Sequence, residues 1–208
     1  MKLNSFLATF AQSDTDSHYL KQYNEVGSNA IQALPELKDL FNQLSGAIFE
    51  NGLFRVHNIG SFYFWTELAF TYFKEYKGYS YCFAFDWVGR QYAVNYFNDK
   101  TLILMLDPAT GEVFELEANI ESFLNNDLDD FKNGLLEFEK FEILRNKIVG
   151  KLPFDQCFGF KQFLFLGGKD ELDNFELCDM EVYWELNYQI FCKTRNLPGG
   201  TPLNISIK

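Results

Sequence analysis

A chain of 208 residues, 47% of them apolar, is long enough to bury a core without disulfide or metal staples and too apolar to be disordered. Its net charge of −11 opposes contact with phosphate backbones, which excludes direct nucleic-acid binding as the first reading. The same charge suits plain solubility or attraction of a basic protein partner.

Taken in chain order, residues 3–50 read as helical. Asn4, Ser5 and Thr9 interrupt the first apolar stretch, so it reads as a helix start and not as a signal peptide. Ser13-Asp14-Thr15-Asp16-Ser17 is a polar break able to cap a helix beginning near His18. Pro35 suits the first turn of the next helix, where Leu37, Leu40, Phe41 and Leu44 share a face. Trp65, Leu68, Ala69 and Tyr72 predict a third helix starting near Gly60-Ser61.

The period then changes to two. Tyr79, Tyr81, Phe83 and Phe85 are expected to point one way and Ser80, Cys82, Ala84 and Asp86 the other. Turns at Val88-Gly89, Asn98-Asp99-Lys100 and Asp107–Gly111 separate strands ending near Leu116, an antiparallel meander. Asn119 caps a short helix with Ile120, Phe123 and Leu124. Phe138, Phe141, Leu144 and Ile148 mark another helix. From Cys157 to Trp184 the pattern is strand, Gly167-Gly168 bend, strand and closing helix. The tail from Pro198, with Leu203, Ile205 and Ile207 alternating, is either an edge strand or disordered. The expected fold class is α+β, an antiparallel meander plus a second strand pair, with helices on one face and an N-terminal helical segment. The expected units are residues 1–50 and 51–208, joined as one cooperative whole.

The 24 Phe and 11 Tyr suit an aromatic core, and no motif in the chain carries catalysis. Gly167-Gly168-Lys169 lacks the phosphate-loop pattern, because Phe163 and Asp170 stand where Gly and Ser/Thr are needed. Cys82, Cys157, Cys178 and Cys192 have no C-x-x-C spacing. With only His18 and His57 beside them, no metal and no cofactor are expected. No G-x-S-x-G occurs, and neither His has a catalytic partner in the sequence. Asp86 is read as bracing its turn through Arg90, worth about 1 kcal/mol if exposed. No run reaches the roughly 18 apolar residues of a membrane span, so a cytoplasmic protein is expected.

Phe83-Ala84-Phe85-Asp86-Trp87-Val88-Gly89-Arg90, the Asp107–Val113 turn, Glu121–Leu124, Gly159-Phe160-Lys161, Leu166-Gly167-Gly168 and Asp173–Glu176 carry a resemblance across about residues 50–195. The chain resembles bacterial immunity proteins that pair with type VI secretion DNase toxins, whose C-terminal region is of the GAD-like or SUKH-like kind. The resemblance implies a non-catalytic inhibitor of a cognate toxin, with no catalytic residue to carry over. Asp127, Asp129, Asp130, Asp170, Glu171 and Asp173 are then the candidate partner contacts. A SUKH-type binding or scaffold protein stays open as an alternative, as does a carbohydrate-active enzyme or lectin using aromatic platforms.

Overall fold

The structure, a computed structural model, describes residues 1–16, 29, 31–32, 34–97, 100–128, 132–198 and 201. Seven strands form one antiparallel sheet in strict chain order. They are β1 (Gln12–Thr15), β2 (Ala47–Phe49), β3 (Phe54–Val56), β4 (Ser80–Asp86), β5 (Gln91–Phe97), β6 (Lys100–Asp107) and β7 (Glu112–Leu116). A separate hairpin pairs β8 (Gln156–Phe160) with β9 (Phe175–Asp179). The helices are α1 (Asn4–Thr9), α2 (Pro35–Leu44), α3 (Ile59–Tyr72), α4 (Ile120–Ser122, continued by a π turn to Asp127), α5 (Phe138–Arg145) and α6 (Met180–Thr194).

The α+β class, the meander and the second strand pair are as expected. The helices, however, are divided between the two faces of the sheet instead of sharing one. Phe83, Tyr92, Val94, Ile103 and Met105 meet α1, α2, α4 and α5 in one core. Cys82, Phe85, Ala93, Leu104 and Leu106 meet α3 and α6 in a second. A bulge between Cys82 and Ala84 adds a residue to β4 and breaks its period of two. Phe83 and Phe85 therefore face opposite cores, against the simple alternation.

Residues 3–50 also contain strands. Ser13 does not cap a helix: its hydroxyl donates to the Ile48 carbonyl at 3.0 Å and accepts from the Asn51 amide, in line with β1–β2 pairing. His18 and the tail from Pro202 lie outside the described residues. The α2 and α3 stripes are as expected, with Leu37, Leu40, Phe41 and Leu44 buried and Asn58 forming a capping box with Ser61.

One turn joins the layers. Asp86 is fully buried, and its Oδ1 accepts from the Val88 and Arg90 amides at 3.1 and 3.0 Å. Its Oδ2 accepts from Arg90 Nε at 2.6 Å and from the Tyr92 hydroxyl at 3.1 Å. Arg90 then donates to the Leu135 carbonyl, and the Trp87 indole to Leu136. The Asp86 carbonyl accepts from Arg55, whose guanidinium also reaches the carbonyls of Pro153, Phe154 and Gln156. Gly89 takes φ +83°, and its carbonyl accepts from the Trp184 indole at 2.7 Å. A Cβ at Gly89 would come within 3.2 Å of Cys157 Sγ, so a side chain there meets both strain and crowding.

The turn-bracing Asp86–Arg90 pair is thus part of a buried network. Asp86→Ala leaves the Arg90 guanidinium uncompensated and should cost about 3–5 kcal/mol rather than ~1. Urea unfolding checks it, and a loss below ~1 kcal/mol would show that the pair acts like a surface bridge. We propose that residues 1–50 and 51–208 unfold as one cooperative unit, since the sheet crosses that boundary. Coincident tryptophan-fluorescence and circular-dichroism transitions are the expected outcome.

Candidate partner-binding surface

Among the described residues β7 is the last strand of the sheet and pairs only with β6. Phe114 lies opposite Met105 and Leu116 opposite Ile103, so both side chains sit on the face of the first core. Phe114 nevertheless stays 50% exposed. The result is a groove of about 610 Å³ whose apolar floor is Met105, Phe114, Leu116 and Leu135.

The rim is acidic: Asp107, Glu112, Glu115, Glu137 and Asp170, with Arg90 as the one cation in the lining. Arg90 is already committed to Asp86 and to the Leu135 carbonyl. Lys140, nearby, bridges Glu137 and Asp170, the latter at 3.0 Å. Glu115 accepts from the Tyr76 hydroxyl at 2.7 Å, and burial together with that carboxylate pushes Tyr76 up to about 12. Burial raises the Asp107 carboxyl above its ordinary value, against the lowering pull of Arg90 and the Ala109 amide. A cation entering the groove would relieve that cost.

The candidate contacts from the sequence do not converge. Asp170 lines the groove, whereas Asp127, Glu171 and Asp173 do not. Asp127 sits half-buried in the π turn after α4. Glu171 is exposed and pairs with Lys169 at 3.6 Å, and Asp173 is exposed with its carbonyl accepting from Lys161. Asp129 and Asp130 lie outside the described residues. The Gly167-Gly168 pair closes a 3-10 turn within the long loop between β8 and β9. A Cβ on Gly168 would fall 1.9 Å from the Gln162 carbonyl oxygen.

The groove was not visible in the sequence. Glu112–Leu116 reads as an ordinary amphipathic strand, and only the strand order reveals that no described residue pairs with its far side. Arg55 was missed too: nothing local marks an arginine in Phe54-Arg55-Val56 as a buried contact to residues 153–156.

The other titratable groups have structural settings. His57 is fully buried, stacked on Phe85 at 4.7 Å and hydrogen-bonded to Ser61 and Gln91. Burial lowers its pKa to about 3, so it is neutral at pH 7. Cys157 and Cys178 face each other across β8–β9 with sulfurs 3.7 Å apart, and burial pushes the Cys157 thiol well up. Among the described residues no group of three or more His, Cys, Asp and Glu side chains could hold a metal ion. Among them, too, no helix is long and apolar enough to cross a membrane.

The segment that forms α4, α5, the β8–β9 hairpin and most of α6 carries a family match. Residues 117–191 match the family model of the T6SS immunity protein Tdi1, C-terminal. This is the type VI secretion immunity family the chain resembles, and the match supports an immunity role. It begins just after β7, so Asp86–Arg90 and Asp107–Val113 lie outside it. The crystal structure of Atu4351 from Agrobacterium tumefaciens shares the fold, with a TM-score of 0.62 at 18% identity over 90% of this chain and 89% of that one. No curated protein matches the chain in sequence.

His57 gives a signed pH prediction. The unfolded imidazole takes up a proton below pH 6.5 while the folded one stays neutral to about pH 3. Stability is therefore fully present above pH 6.5 and drains away as pH falls toward 3, by roughly 2 kcal/mol at pH 5 from this group alone. Urea unfolding at pH 7 and pH 5 should show that loss in the wild type and a smaller one in His57→Gln. Equal losses would remove His57 as the cause.

Proposed function

We propose that this protein is a cytoplasmic, non-catalytic immunity protein that binds a cognate type VI toxin and neutralises it by covering its working surface. The observation that carries this reading is the match of residues 117–191 to the Tdi1 family model. The nature of the surface supports it. A net charge of −11 suits a partner with a basic face, as a nuclease that grips DNA must have, and it speeds encounter with such a face.

The carbohydrate-binding alternative finds no tryptophan platform, because Trp65, Trp87 and Trp184 are each 0–1% exposed, packed into the two cores. A scaffold role of the SUKH kind is distinguished by the neighbouring reading frame, which for an immunity protein encodes a toxin.

Co-expression with the product of that adjacent gene should give a complex stable at low salt. Its Kd should weaken about tenfold or more between 50 and 500 mM salt, as the Debye length falls below about 5 Å. A pull-down at low salt that recovers no complex would overturn the proposal.

A further inference from the structure

The two edges of the seven-stranded sheet are built differently. β1 is an all-polar strand of four exposed residues with a bulge between Gln12 and Asp14, and Lys151 caps its Asp14. Polar composition, a bulge and a lysine are the usual devices that keep an edge from pairing. β7 has neither bulge nor lysine, and three of its five residues are apolar. Its register with β6 is regular from Asp107↔Glu112 to Ile103↔Leu116, its sequence Glu-Val-Phe-Glu-Leu holds neither Lys nor Pro, and Phe114 is half exposed. An edge strand of this kind is a template for another strand.

We propose that β7 and its groove are the docking site for a basic, extended segment of a protein partner, which pairs with β7 as an eighth strand. The proposal deepens the immunity reading and rests on it. Residues alternate along a strand, so Glu112, Phe114 and Leu116 present one face to an incoming strand. A cationic side chain on that strand meets Glu112 and the under-solvated Asp107, and the apolar residue next on the same face covers Phe114. The lining holds five carboxylates, two of them bridged by Lys140, and one arginine already bonded to Asp86 and to the Leu135 carbonyl. That charge selects a basic segment and disfavours a second copy of this chain, which brings the same −11.

The test uses the full chain and an inactive variant of the toxin encoded by the adjacent gene. Glu112→Lys, a change on an exposed edge, should weaken Kd about tenfold at low salt, and Phe114→Ala by several-fold. Glu185→Lys changes the net charge equally on the exposed side of α6 and should leave Kd within about twofold. Thermal midpoints and circular dichroism confirm that each variant folds. Hydrogen exchange on the wild type should show the β7 amides that do not donate to β6 protected only in the complex. Equal effects of Glu112→Lys and Glu185→Lys, or those outward amides left unprotected in the complex, would overturn the site while the immunity reading stands. So would outward β7 amides already protected in the free protein, whether released by deleting residues 202–208 or by dissociating a dimer. Absence of any wild-type complex would overturn the immunity reading and this site with it.

Discussion

The buried carboxylate of Asp86 is the constraint on which the layers depend. Its side chain closes the β4–β5 turn by taking two backbone amides, the Arg90 guanidinium and the Tyr92 hydroxyl. Its carbonyl takes Arg55, and through Arg55 the segment leading into β8 is fixed. Arg55 itself lies 4.4 Å over the Phe85 ring, and burial lowers its pKa to about 10, so it remains charged at neutral pH. Two opposed guanidinium groups therefore grip one residue from its two ends. Removing the carboxylate strands a buried cation, which is why the network matters more than its one ion pair suggests.

This hub also joins the sheet to the family-matched segment. Leu135, Leu136, Phe158 and Trp184, all within residues 117–191, bond to the turn at Arg90, Trp87 and Gly89. The sheet β1–β7 lies before that segment, yet it provides the turn on which the segment is seated.

Much of the fold was legible because it is local. The α2 and α3 stripes, the Asn119 cap, the turns at Val88-Gly89 and Asp107–Gly111 and the β8–β9 hairpin follow from periodicity and capping chemistry. The strands β1 and β2 were not, because short polar or three-residue segments take their structure from the neighbour they pair with. The bulge at Phe83 likewise hides in an unbroken apolar run. The groove at β7 depends on strand order and on where the helices stop, which spacing along the chain does not encode. Of the acidic residues singled out by composition, Asp170 reaches that groove. Charge alone points to a partner without saying which carboxylates it meets.

Among the described residues the two faces of the sheet are occupied by core, His57 is neutral and sealed, and the tryptophans are interior. The surface they leave offers acidic side chains and the apolar-floored groove along β7. The proposed immunity role is action by occupancy, not by turnover. The most direct check is a titration of a fixed amount of the toxin, following the toxin's own activity as the protein is added. Occupancy predicts a linear fall that reaches its floor at one equivalent and does not deepen with time. Progressive loss of toxin activity at well below one equivalent would mean that the protein turns over, and would contradict the account.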